Sequence, residues 1–262
     1  MHFFQAIILG IIQGITEFLP ISSSGHLILI PNIFNLPDQG LGFDAILHLA
    51  TALAIIYVLR KEIKEILLGL FKVENKAWLY ILIGIIPAGI AGYFLNDSIE
   101  SKFRLVELVA FNLIFWGFIL WLSERYSDII QNKIKNINNI KIKQALIIGF
   151  AQILALFPGT SRSGITITSG LFSKLDKKTA VNFSFLLGLP LILAAGGLKT
   201  VEAVNTGMFQ TDLLPLVFGF LTSLISGILA IKFLLHLIKT KGFKVFVIYR
   251  MVLGIIILLL LL

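Results

Sequence analysis

The sequence predicts an all-α polytopic membrane protein with about six transmembrane helices, two re-entrant helical hairpins and an inverted-topology repeat. Three observations predict it. Hydrophobic residues make up 57% of the 262 and charged residues only 14%, against about 25% charged in soluble domains. Apolar runs long enough to cross a bilayer recur along the chain. Two further apolar stretches are interrupted in mid-run by proline, glycine and polar residues.

The spans fall at about 44 to 60, 77 to 95, 105 to 123, 180 to 198, 212 to 235 and 245 to 262. The interrupted stretches are residues 3 to 34, broken at Pro20-Ile21-Ser22-Ser23-Ser24-Gly25, and residues 144 to 173, broken at Pro158-Gly159-Thr160-Ser161-Arg162-Ser163-Gly164. Each divides into pieces of about 12 to 17 residues, roughly 18 to 25 Å of helix, which is short for a span of about 30 Å. They read as re-entrant hairpins.

Basic residues orient the chain. The stretches 60 to 76, 124 to 144, 173 to 179 and 232 to 250 hold 18 of the 22, including Lys72 and Arg250. The complementary stretches hold Lys102, Arg104 and Lys199, and Arg162 stands apart. The lysine-rich set goes to the cytoplasm. The first hairpin then enters from outside and the second from the cytoplasm, with both termini outside. At an offset of 139, Gly10, Gln13, Phe18, Ser22, Ser24 and Gly25 match Gly149, Gln152, Phe157, Ser161, Ser163 and Gly164. Three spans separate the hairpins, and an odd number inverts the second copy. The expectation is one membrane domain, residues 1–262, with repeat halves of about 1–123 and 124–262.

The formal charge of +8 does not imply nucleic acid, because the lysines lie in short connections where they mark a membrane face. Cysteine is absent, which excludes a disulfide framework and a thiolate site. The first 59 residues contain no Lys or Arg, so the N-terminus lacks a basic signal-peptide region and is expected to be mature structure.

Backbone that leaves the helix inside a membrane exposes N–H and C=O groups, tolerable only where protein or a wet cavity satisfies them. Ionisable residues at that depth are functional candidates by default, which selects Glu17, His26 and Arg162. A structural ion pair is the plainer alternative for Glu17 and Arg162, and a packing role the plainer one for His26. A helix beginning near Ser163 would direct free amides towards Arg162 and the hydroxyls of Ser161, Ser163 and Thr166, a cradle for a tetrahedral anion such as phosphate. The serines after Pro20 cap a second helix starting around Gly25. Ordinary capping explains one serine per helix, not the clustering. Gln13 and Glu17 lie four residues apart on one helix face, where an amide oxygen and a carboxylate could hold Mg²⁺ or Ca²⁺ if phosphates supply further ligands.

Other residues read more plainly. Asp44 and His48, also four apart, suit capping and packing, with a cavity wall as the alternative. Pro87 is expected to kink its helix, and Trp78 and Trp121 to anchor at the interface. The segment "ERYSDIIQNKIKNINNIKIK" is a polar connection without chemistry, and His2 and His236 sit near membrane ends.

The stretches "QGITEFLPISSSGH" (13 to 26) and "PGTSRSGIT" (158 to 166) resemble the two signatures of the bacitracin-resistance type undecaprenyl-diphosphatases, (E/Q)xxxE and PGxSRSxxT. The likeness continues through "GFDAILHLATALAII", "IIPAGIAGY", "NFSFLLGLP" and "IYR" and covers nearly the whole chain. It implies dephosphorylation of undecaprenyl diphosphate to the monophosphate in the plasma membrane, which recycles the carrier for cell-wall synthesis and confers resistance to bacitracin, a peptide acting on the same lipid. It also favours a site reached from the outer face. By position it implies Glu17 and Gln13 at a metal or acid–base centre and Arg162 on the diphosphate. Ser161, Ser163 and Thr166 would line the cradle, Ser23 would be the nucleophile with Ser22 beside it, and His26 would serve proton transfer or substrate positioning. Gln rather than Glu at position 13 removes a second carboxylate, and Ser24 stands where Thr is frequent.

Serine attack would pass through a phospho-enzyme, whereas Glu17 acting on water would be direct hydrolysis. Both stay open. Inverted repeats with broken helices also describe transporters, so a transporter or flippase of a phosphorylated polyprenyl lipid is the rival reading. Only the enzyme has a use for a serine poised against Glu17.

Overall fold

A computed structural model describes residues 3–34, 41–70, 76–103, 105–205 and 213–261. His2, Lys72 and Arg104 lie outside the described residues. The expected all-α polytopic architecture is what it shows. The helices are α1 (Phe3–Phe18), α2 (Ser23–Phe34), α3 (Leu41–Val58), α4 (Arg60–Gly69), α5 (Ala77–Phe103), α6 (Val106–Ile129), α7 (Ile142–Ile153), α8 (Arg162–Phe172), α9 (Lys177–Asn205), α10 (Leu213–Thr240) and α11 (Lys244–Leu260).

Four of these, α5, α6, α9 and α10, are long and apolar enough to cross a membrane. The expected first span corresponds to α3, which is followed at Leu59 by a bend of 79° into α4. Residues 60–69 are thus helical rather than a simple connection, because Ile63, Ile66 and Leu67 recur at helical spacing among Arg60, Lys61, Glu62, Lys64 and Glu65. α11 has 17 residues, just under a standard span of about 20. α5 is continuous through Pro87, and α9 through Pro190.

The outward faces identify the solvent. On α10, Ile225 and Leu229 are exposed while Ser223 and Ser226 are buried. Apolar side chains out and hydroxyls in is the arrangement a bilayer demands, since a hydroxyl left in hydrocarbon is costly and one facing protein can bond a carbonyl. Ser223 Oγ donates to Leu47 O at 3.0 Å and Ser226 Oγ to Thr222 O at 2.6 Å.

Helix boundaries repeat at the offset of 139. α1 and α7 start at Phe3 and Ile142, and α2 and α8 at Ser23 and Arg162. Packing repeats too. α1 lies along α10 and α7 along α5, each by close backbone approach. A Cβ on Gly14 would overlap Ser226 and the Ser223 carbonyl, and one on Gly149 would overlap the backbone of Gly84. Small residues of this kind let membrane helices gain dispersion contact where no hydrophobic driving force exists between them. α6 pairs with α11, and α3 with α9, closing the bundle around the two hairpin turns.

Two charged residues behave unlike their sequence context. Arg250, counted above among the basic residues of a cytoplasmic edge, is 0% exposed in the middle of α11. Glu124, in the connection assigned no chemistry, is buried. Its carboxylate accepts the Phe243 N–H at 3.0 and 3.1 Å and Lys177 Nζ at 2.6 Å, so it caps the start of α11 and ties it to α6 and α9. Trp121 lies under the Arg125 guanidinium at 5.7 Å, and His236 is exposed.

Candidate active site

The site is built from two matching turns. α1 stops at Phe18 because Pro20 has no N–H for the helical ladder, and the chain re-enters a helix at Ser23 after Ser22 takes a left-handed φ of 78°. The second turn repeats this at Ser161, with φ 75°. Ser22 Oγ accepts from Gly25 N at 3.3 Å and Ser161 Oγ from Gly164 N at 3.1 Å, N-caps of the same form. The Ser22–Ser24 and Ser161–Ser163 hydroxyl pairs are each 3.3 Å apart.

The turns meet. Ser163 Oγ donates to Leu19 O at 3.2 Å. Arg250 donates to Pro20 O on the first turn and to Gly159 O and Thr160 O on the second, all at 3.0–3.1 Å, and to Leu113 O and Asn112 O of α6 at 3.1 Å. Asn112 Nδ2 donates to Pro158 O at 2.7 Å. The donors to Pro20, Pro158, Gly159 and Thr160 satisfy carbonyls that the broken helices leave unpaired, which is the condition for irregular backbone inside a membrane.

Glu17, 6% exposed, is the centre. Its Oε1 accepts from Arg162 Nη2 at 2.7 Å, and its Oε2 from Ser23 Oγ at 2.8 Å and Gln13 Nε2 at 3.0 Å. His48 Nε2 lies 3.6 Å from Oε2, its ring oriented by donation from Nδ1 to Asp44 O at 2.7 Å. The acid of one hairpin and the guanidinium of the other are thus in direct contact. Arg162 Nη1 and Gln13 Oε1 are buried without a hydrogen-bond partner. The guanidinium rests on bare backbone at Gly188 of α9, where a Cβ would overlap Nη1.

Not every candidate faces this centre. Thr166 Oγ1 donates back to Arg162 O at 2.8 Å and pairs with Ser184 Oγ at 2.6 Å, so it supports Arg162 from behind. Ser22 is fully buried in its turn, Ser23 is part-exposed beside Glu17, and Ser161 and Ser163 are occupied in capping and in joining the turns. Both nitrogens of His26 are engaged, Nδ1 with Ser22 O at 2.7 Å and Nε2 with Tyr249 Oη at 2.6 Å.

Four residues of the site are not among the sequence candidates: His48, Gly188, Tyr249 and Arg250. The Asp44–His48 spacing was visible but fits capping equally well, and Gly188, Tyr249 and Arg250 lie in "NFSFLLGLP" and "IYR", which belong to the family likeness without any chemical cue. For a cation, among the described residues no group of three or more His, Cys, Asp or Glu could hold a metal. Glu17 with the unpartnered Gln13 Oε1 makes half a site for Mg²⁺ or Ca²⁺, which bind several oxygens and accept phosphate and water as the remainder.

Residues 6–256 match the family model described as bacitracin resistance protein BacA. The chain is 40% identical to an undecaprenyl-diphosphatase of Thermomicrobium roseum over 99% of its own length and 98% of that protein's. It is 42% identical to undecaprenyl-diphosphatase 1 of Pseudoalteromonas translucida, over 97% of each chain. A third relative, the undecaprenyl-diphosphatase of Marinobacter nauticus, is 40% identical over 97% of each.

Proposed function

The chain belongs to the bacitracin resistance protein BacA family, and from that premise we propose how its buried acid, serine and guanidinium carry out the family's reaction. The protein hydrolyses undecaprenyl diphosphate to undecaprenyl phosphate and inorganic phosphate, and is a multi-pass membrane hydrolase conferring bacitracin resistance. The observation that carries the residue assignment is the Ser23–Glu17–Arg162 chain of contacts, at 2.8 and 2.7 Å. It joins a nucleophile, its base and a phosphate-binding cation across the two hairpins.

The diphosphate docks against Arg162, competing with Glu17 for the guanidinium and meeting the N-terminal amides of α8. Glu17, released from Arg162, is left facing Ser23 as the proton acceptor. Ser23 Oγ attacks the terminal phosphorus as its proton passes to Glu17 Oε2. The phosphorus bond to the bridging oxygen breaks, and undecaprenyl phosphate leaves. Water then splits the phosphoserine, Glu17 returning its proton to Oγ while a water proton leaves with the phosphate. Phosphoryl transfer asks the protein mainly for positioning and charge stabilisation, which this set provides. A divalent cation, Mg²⁺ or Ca²⁺, held by Glu17, Gln13 Oε1 and the diphosphate would supply further charge neutralisation. Ser161, Ser163 and Thr166 hold the second turn and Arg162 in place. We place the protein in the plasma membrane with both termini and the approach to the site outside, where bacitracin meets the same lipid.

Purified protein in detergent, given undecaprenyl diphosphate with a labelled terminal phosphate, tests the scheme. Ser23→Ala is expected to reduce phosphate release by about a thousandfold and to abolish an acid-trapped labelled protein seen in the wild type. A Ser23→Ala rate within tenfold of wild type would transfer the attack to water activated by Glu17. Lipid translocation in liposomes with no phosphate release would instead establish the transporter.

Gly188 offers a second check on geometry. Gly188→Ala, by pushing the guanidinium off its seat, is expected to cut phosphate release by about a hundredfold, the scale of a misplacement of roughly 1 Å. The melting temperature in detergent should hold. Wild-type turnover in this variant would mean that Arg162 acts from another position.

A further inference from the structure

Two consecutive residues of α11 reach the first turn by different routes. Arg250 donates to Pro20 O at 3.1 Å. Tyr249 reaches Ser22 through an intermediary. Its hydroxyl lies 2.6 Å from His26 Nε2, the two rings stack at 5.7 Å with planes 11° apart, and His26 Nδ1 lies 2.7 Å from Ser22 O. A carbonyl oxygen can only accept, so Nδ1 carries the proton. In the neutral ring Nε2 is then an acceptor, and the tyrosine O–H must donate to it. The tautomer is therefore set by the Ser22 carbonyl, and Tyr249, 223 positions away in the chain from His26, completes it as the donor to Nε2.

The held carbonyl belongs to the left-handed residue immediately before Ser23. Ser22 O accepts the backbone N–H of His26 at 3.2 Å as well as its Nδ1 at 2.7 Å, the shorter bond. With Pro20 O fixed by Arg250 and Ser22 O held in this way, the turn is pinned on both sides of Ile21, and the direction of Ser23 Oγ towards Glu17 follows. We infer that Tyr249 is a positioning residue for Ser23, acting through His26 to lock the Ser22 carbonyl. The inference rests on Ser23 as the attacking group. It also gives His26 a use that needs no contact with substrate, since neither of its nitrogens is free.

The test is a double-mutant cycle with a spectroscopic arm. Tyr249→Phe removes one oxygen and keeps the stacked ring. It is expected to lower kcat about tenfold, the worth of one buried hydrogen bond, with KM changed less than about twofold and the melting temperature held. In a His26→Ala background the same change should alter kcat by less than about twofold, because the route is already cut. In protein labelled with ¹⁵N-histidine, the Nε2 resonance of His26 should move in Tyr249→Phe, a readout that needs no turnover and that a mere packing role would leave alone. An unmoved resonance, an unchanged kcat, or equal losses with and without His26 would overturn the inference. Failure of Ser23 as nucleophile is read separately, from Ser23→Ala with Tyr249 intact.

Discussion

Glu17→Gln is expected to lower kcat for undecaprenyl diphosphate by about a thousandfold while leaving KM unchanged or reduced. The amide matches the carboxylate in volume, so the contact with Gln13 survives, but it cannot take the Ser23 proton. It also releases Arg162. In the wild type the guanidinium is committed to Glu17 at 2.7 Å, and a diphosphate must displace that contact to bind. Without the counter-charge, the anion meets an uncommitted guanidinium and binds at least as well. A purely structural ion pair predicts the opposite pattern: raised KM, lowered melting temperature and moderate kcat. Steady-state phosphate release with the lipid in detergent, together with thermal unfolding of the same preparations, separates the two. A kcat within tenfold of wild type would remove Glu17 from the chemistry.

Arg250→Leu is expected to have the largest effect on stability. The guanidinium is wholly buried and donates to five carbonyls drawn from α6 and both turns. Leucine fills part of the volume but leaves the turn carbonyls of Pro20, Gly159 and Thr160 without this donor. A buried acceptor left unsatisfied costs about 1–3 kcal/mol, so three together remove much of a stability of about 5–15 kcal/mol. The purified variant should melt at a clearly lower temperature and lose activity even well below it, since the turns are no longer held together. Arg250→Lys should recover little, because one ammonium cannot address carbonyls arrayed around a planar fork. A variant as stable as wild type would mean that ordered water or a shift of Asn112 replaces the donors.

The fold class was legible because the bilayer imposes a coarse code of run length, apolar content and lysine placement. The centre of the site was legible for a related reason. Glu17 and Arg162 are charges beside helix breaks, an expense that membrane backbone does not tolerate without purpose, and each break repeats the other in sequence. What escaped was of two kinds. Arg250 and Glu124 lie in stretches where basic and polar residues are expected at a membrane edge, so their burial depends on tertiary packing and leaves no local pattern. Gly188 and Tyr249 sit in apolar runs, where a glycine or an aromatic is unremarkable, and their roles arise only when α9 and α11 close on the hairpins. The bend at Leu59 was hidden too, since the apolar run of α3 stops at Arg60-Lys61-Glu62, as it would at any span end.

The Glu124 cap has a consequence for how a long lipid can be admitted and let go. It fastens α11 at Phe243, and the residues gripping the catalytic turn begin at Tyr249, six positions on, a distance of roughly 9 Å along the helix axis. Nailed at both points, α11 with its partner α6 behaves as a fixed doorpost. Any movement that admits the lipid to Glu17 is then left to the opposite jamb, where α3 carries His48.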